Sequence, residues 1–175
     1  MPSDEELMKR VANGHVAAFD ELVCRHQHSV WSTACRFTAD PVEAEDLAQE
    51  TFLRVLRAAS RYRPTGDFRS YLLRILGRLC LDRSRKKGPV YGHEVPDCGD
   101  PSPSPAEQLE AARRGDQVRG ALASLPGNQR MAIILKYYED MNYAQIAGIM
   151  GVSEKAIERL LDRGREGLRR RLGAS

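Results

Sequence analysis

A chain of 175 residues that is 42% hydrophobic and 29% charged is long enough for one or two packed domains and too apolar for a disordered tail. No apolar run approaches the roughly 18 residues that cross a bilayer. The opening MPSDEELMKR is acidic where a secretory signal is basic and then apolar, so an intracellular protein without membrane insertion is expected.

The net charge of +3 conceals a segregation. Residues 1–53 carry 4 basic and 10 acidic side chains, 54–87 carry 11 and 2, 88–129 carry 3 and 6, and 130–175 carry 9 and 6. A block as basic as 54–87 repels itself unless a polyanion is near, which points to a nucleic-acid surface. Apolar residues recur at three and four, and strict alternation is nowhere sustained, so the fold class is all-α.

Residues 4–39 supply helices with Leu7, Val11, Phe19, Leu22, Val30 and Trp31 as core. Within them CRHQHSVWSTAC sets Cys24 and His28 four apart, a spacing able to ligate zinc, with His26 and Cys35 near. Soft ligands on a helix more often pack or face water, so no metal and no cofactor is expected. Cys24, Cys35, Cys80 and Cys98 form no C-x-x-C pair and fit reduced thiols better than a disulfide framework.

The segment ADPVEAEDLAQETFLRVLRAA reads as a helix capped by Asp40, with Pro41 at its first position and Glu43 closing a capping box. Ala44, Leu47, Ala48, Phe52, Val55, Leu56 and Ala59 form its core stripe; Asp46, Gln49, Glu50, Arg54 and Arg57 face away. After the loop RYRPTGD, residues 61–67, FRSYLLRILGRLCLDRSRKK repeats Leu72, Ile75, Leu76 and Leu79 and intersperses Arg74, Arg78, Asp82, Arg83 and Arg85. Residues 88–105, GPVYGHEVPDCGDPSPSP, hold five of the nine prolines and three glycines, and read as a flexible tether between two small helical domains, 1–87 and 106–175.

The second domain contains MNYAQIAGIMGVSEKAIERLL, two short helices around Gly151-Val152-Ser153. Asn142 with Gln145 caps the first, and Ser153 caps a second that runs to about residue 172, about 28 Å. Ile157, Leu161, Gly164 and Leu168 are expected to pack on Tyr143, Ile146, Ala147 and Met150. Lys155, Glu158, Arg159, Asp162, Arg163 and Arg165 then point outward, the pattern of a recognition helix in a major groove. Arginine takes a guanine edge bidentately and acidic side chains accept from cytosine, while Arg165, Arg169, Arg170 and Arg171 suit phosphates. No phosphate-cradling glycine loop, nucleophile elbow or paired-carboxylate site occurs, so no enzyme is expected.

These residues carry a resemblance. DPVEAEDLAQETFLRVLRA resembles the polymerase-clamp-binding segment of extracytoplasmic-function (ECF) sigma factors. YRPTGDFRSYLLRILGRLCLDRSRKK is similar to their promoter-melting segment, and the stretch from ASLPGNQR to LRRRL to their C-terminal domain. The resemblance implies that residues 1–87 are a sigma region 2 domain and 106–175 a sigma region 4 domain, joined by the linker 88–105. It implies core RNA polymerase binding through Asp46, Gln49, Glu50 and Arg54. Melting of the minus-ten element is implied for Arg61, Arg63, Phe68, Tyr71, Arg74, Arg78, Arg83 and Arg85. Reading of the minus-thirty-five element is implied for Lys155, Glu158, Arg159, Asp162, Arg163 and Arg165. An anti-sigma partner that clamps the two lobes together, and a cytoplasmic, nucleoid-associated location in a bacterium, follow from the same resemblance. The family usually has Trp where Tyr71 stands, Asn where Arg78 stands, a basic or small polar residue where Glu158 stands and often Arg where Leu160 stands. The competing reading is a free-standing helix-turn-helix regulator that binds duplex DNA without polymerase. Such a regulator needs a dimer interface and has no use for a second, more basic lobe.

Overall fold

The computed structural model describes residues 1–88 and 105–173, and every described element is helical. The first group comprises α1 (Asp4–Ala12), α2 (Val16–Thr38), α3 (Pro41–Ala58) running into a 3₁₀ turn (Ala59–Arg61), and α4 (Phe68–Lys87). The second comprises α5 (Pro105–Ala123), α6 (Gly127–Tyr137), α7 (Tyr143–Met150) and α8 (Glu154–Leu172). Among the described residues no helix is long and apolar enough to cross a membrane. The tether read at 88–105 lies, apart from its two ends, outside the described residues.

Local chemistry sets most helix starts. Asp40 accepts from the amides of Val42 and Glu43 at 2.9 and 3.3 Å, and Pro41 stands at the first position of α3. Glu43 does not close the box. Its carboxylate is drawn to Lys87 Nζ at 2.7 Å and Arg83 at 3.6 Å, because the basic end of α4 lies beside it. Asp67 caps α4 through the Ser70 amide, Asn142 and Gln145 form the reciprocal box of α7, and Ser153 caps α8 through the Ala156 amide. Gly151, at φ 69°, takes the left-handed conformation that ends α7 and turns the chain into the corner.

One contiguous apolar core runs through both groups. Leu7, Leu22, Leu47, Leu72 and Leu76 fill the first, while Leu122, Met131, Ile134, Ile146, Ile157 and Leu161 fill the second. Three core assignments need correction: Phe19 and Trp31 are only partly buried, and Leu56 is exposed at the edge of its stripe. The inner face of α8 meets α6 and α5 as well as α7. A Cβ on Gly164 would come within 2.8 Å of Ile133 in α6, so this glycine serves the α6 contact rather than α7. Gly164→Val should therefore force α8 away from α6 and lower stability by about 1–3 kcal/mol in denaturant unfolding. A variant as stable as the parent would mean that α8 shifts freely.

Candidate functional site

Helix α8 presents Lys155, Glu158, Arg159, Asp162 and Arg163 to solvent, while Ile157 and Leu161 are fully buried. The split follows from the helical period, since the buried residues repeat at four and the charges occupy the arc between them. Arg165 departs from the outward set. It is half-buried and turned to α6, donating to Tyr137 Oη at 3.1 Å and to Asp162 Oδ1 at 2.5 Å. Those two bonds, Tyr137 first, hold its guanidinium above the usual value. Near the helix end, Arg170 pairs with Glu166 at 3.3 Å and Arg171 donates to the Ser124 carbonyl at 3.2 Å, whereas Arg169 is exposed.

The basic block lies along α4. Arg74, Arg78 and Arg85 stand four and seven residues apart, fall on one face, and are exposed; Arg83 is half-buried toward Glu43. Phe68 is 1% exposed and offers no stacking surface, which corrects its assignment to melted DNA. Its ring lies 6.1 Å from both Tyr62 and Tyr71 and 5.2 Å from His26, so it is a pedestal for the two tyrosines. Tyr62, absent from the sequence-based set, sits 4.9 Å from Tyr71. Both are half-buried, and desolvation raises their phenol pKa values. The Tyr62 hydroxyl is buried without a hydrogen-bond partner. Tyr62 lines a cavity of about 410 Å³ between α1 and the loop after the 3₁₀ turn, walled also by Glu5, Lys9, Asn13, Ser60 and Arg63. Arg61 is exposed on the same turn.

On α3, Asp46 and Gln49 are exposed, and half-buried Glu50 accepts from Arg54 at 2.9 Å, a bond that lowers the carboxyl pKa. Beside them a groove of about 540 Å³ runs between α2 and α3, floored by Val23, Trp31, Ala48 and Phe52, with Gln27, His28, Glu45 and Gln49 also lining it. Leu53 and Leu56 are exposed on the same helix. The α2 wall of this groove was not legible from spacing, because Trp31 reads equally well as core.

The cysteines divide by environment. Cys24 is an exposed free thiol, whereas burial pushes the Cys80 thiol up to about 12 and leaves it un-ionised at neutral pH. Cys35 is disulfide-bonded, which corrects the expectation of a reduced thiol there. His26 Nε2 bonds Asp4 Oδ2 at 2.8 Å, and no group of three potential metal ligands occurs among the described residues.

The two helical groups are docked. Glu139, 4% exposed in the turn between α6 and α7, accepts from Thr33 Oγ1 at 2.5 Å and from Arg69 at 2.6 Å. Arg69 also donates to the Glu139 carbonyl, Arg130 of α6 donates to the Phe37 carbonyl of α2 at 2.7 Å, and Arg36 lies 4.5 Å over the Tyr138 ring. Ile149 of α7 reaches Gly77 of α4. Arg69→Ala leaves a buried carboxylate with hydroxyl partners only. The loss is about 1–3 kcal/mol of docking, discounted because the Arg69 side chain is 44% exposed. Undocking relieves it by releasing Glu139 to water. Small-angle scattering should then give a radius of gyration above the roughly 16 Å of a compact chain of this length, with helix content unchanged. A scattering curve identical to the parent's would refute this account of the docked contact.

Comparison with known proteins places this geometry. Residues 22–89 match the Sigma-70 region 2 family model and residues 115–168 match Sigma-70, region 4. The ECF RNA polymerase sigma factor SigE of Mycolicibacterium smegmatis is 36% identical over 177 residues, spanning 96% of this chain and 68% of the relative. The structure of CnrH in complex with the cytosolic domain of CnrY aligns with 99% of each chain covered, a TM-score of 0.73 and 28% identity. The sigma factor RpoE from Bartonella quintana, in complex with the anti-sigma factor NepR, shares the fold over 90% of this chain and 98% of that one, with a TM-score of 0.71 and 21% identity. Two sigma regions in register leave the free-standing regulator without support. The chain belongs to the extracytoplasmic-function family of RNA polymerase sigma factors and works with core RNA polymerase in promoter-directed initiation of transcription.

Proposed function

We propose that this sigma factor divides its work among three surfaces and two domains. Residues 1–87 bind polymerase and melt the minus-ten element, 106–175 read the minus-thirty-five element, and 88–105 tether them. The observation that carries the reading is the segregation on α8, where Lys155, Glu158, Arg159, Asp162 and Arg163 are exposed over a fully buried Ile157 and Leu161. That is the geometry by which a helix enters a major groove while anchored from behind. Polymerase meets Asp46, Gln49, Glu50 and Arg54 together with the apolar groove between α2 and α3, a mixture of charge and buried aromatic surface suited to a protein partner.

Melting is assigned to the exposed Arg74, Arg78 and Arg85, to Arg61 and Arg63 of the loop, and to Tyr71 with its neighbour Tyr62. The cavity beside Tyr62 offers polar groups from Asn13, Ser60 and Arg63, the furnishing that an unstacked base requires. The factor acts by binding, without a catalytic step of its own, in the bacterial cytoplasm at the nucleoid. An anti-sigma protein that holds the docked arrangement is its regulator, a role supported by the solved relative bound to such a partner.

Co-elution with bacterial core polymerase, followed by transcription from a candidate promoter, tests the whole reading. Tight duplex binding without polymerase, and none to polymerase, would sink it. The melting assignment has its own check. Arg74→Ala with Arg78→Ala should leave polymerase binding and upstream recognition intact but reduce open-complex formation. A template with a premelted bubble should restore much of the lost activity, because the strands are already apart. No rescue by the bubble would remove these arginines from strand separation.

A further inference from the structure

Where the end of α4 meets the turn between α5 and α6, a cavity of about 460 Å³ opens between the two helical groups. Arg85 from α4, Arg130 from α6 and Arg171 from α8 border it, and no carboxylate does among the described residues. Arg130 is the unusual member. It is 7% exposed, its Nη atoms donate to the carbonyls of Phe37, Ala123 and Leu125 at 2.6 to 2.8 Å, and its Nε–H has no acceptor. Among the described residues this cation meets neutral carbonyls, the Phe37 ring 4.9 Å away and the nearby Cys80 thiol, and burial depresses its pKa. Among the described residues no carboxylate pairs with this cation, and a buried charge without a counter-ion is unfavourable, so a negative group is favoured there.

A second feature of the wall asks for the same charge. Helix α6, eleven residues long, begins at Gly127 with Pro126 before it, and no side chain caps its first amides. Those N–H groups and the positive end of the helix dipole make an anion seat. Ser84 Oγ would lie 3.0 Å from a Cβ on residue 127, so the glycine keeps Ser84 close to the seat.

We infer that this cavity binds a phosphate group, held by the α6 amides between Arg85 and Arg171 and balancing the charge of Arg130. Phosphate fits better than chloride, because guanidinium forks donate to it in pairs and its several oxygens reach more than one wall. Arg85 and Arg171 stand on different helical groups, so an occupied site favours the docked arrangement. The group is either a free phosphate or a diester of nucleic acid.

The test is thermal unfolding of the full chain with inorganic phosphate titrated against chloride at equal ionic strength. Phosphate should give a saturable rise in unfolding temperature. The rise should vanish in Arg85→Glu with Arg171→Glu, whose side chains are exposed and whose fold is checked by circular dichroism. Phosphorus NMR with a short single-stranded oligonucleotide lacking terminal phosphates separates the sources. Displacement of inorganic phosphate by the oligonucleotide assigns the site to backbone diesters; retention assigns it to a free phosphate. An absent rise, or an equal rise in the double variant, overturns the site. Polymerase co-elution of the parent protein reads the proposed function separately.

Discussion

Asp46→Lys combined with Glu50→Lys is expected to abolish co-elution with core RNA polymerase while helix content stays unchanged. Asp46 is exposed, and the ion partner of Glu50 is Arg54 one turn on, a solvent-screened pair whose loss costs the helix little. Neither side chain supports the core, which Ala44, Leu47, Ala48, Phe52 and Val55 supply from the other face. At an interface the balance is different. Reversing two charges replaces attraction by like-charge contact, and such juxtaposition costs several kcal/mol, more than about a hundredfold in affinity. Retained co-elution would move the polymerase contact away from these carboxylates and onto the groove formed by Trp31 and Phe52 alone.

The second large effect is expected at α8. Arg159→Ala with Arg163→Ala should remove base contacts worth about 1–3 kcal/mol each, weakening binding to the preferred upstream element far more than to unrelated duplex. Both arginines are exposed, and neither has a hydrogen-bond partner among the described residues, so unfolding should be unaffected. Arg169→Ala is the contrasting variant. A phosphate contact there should weaken all sequences alike and reduce the salt slope by about one. If the double variant loses affinity uniformly, α8 positions the domain on the backbone and does not read bases.

How much of this was legible depends on the range of each interaction. The caps at Asp40, Asn142 and Ser153, the all-helical class and the outward arc of α8 follow from residues within a turn or two of one another. Those signals are local and survived folding. Glu43 was misread because a box partner three residues away lost to Lys87, forty-four residues on. Phe68 and Tyr62 share one aromatic cluster, and spacing alone does not decide which ring goes under and which faces the cavity. Leu56 belonged to the stripe by period but lies at its edge, where a small helix rotation exposes it. The contacts of Glu139 with Thr33 and Arg69 join residues 106 and 70 apart, and no periodicity or motif announces such a pairing.

The docked carboxylate has a consequence for how much work the promoter must do. Taken from the names of the minus-ten and minus-thirty-five elements, their separation is about 25 base pairs, or roughly 85 Å along the duplex at about 3.4 Å per base pair. A compact chain of this length, with a radius of gyration near 16 Å, is only about 40 Å across. In the proposed division of labour both elements therefore cannot be held while α4 rests on α7. In the proposed assignment promoter binding draws on the undocked form, and the apparent affinity is the intrinsic one multiplied by the fraction that is open. Each 1.4 kcal/mol in the Glu139 contact and its neighbours lowers that fraction about tenfold. Glu139 touches neither polymerase nor DNA in the proposed assignment, yet weakening its contact with Arg69 is expected to lower the concentration at which transcription begins.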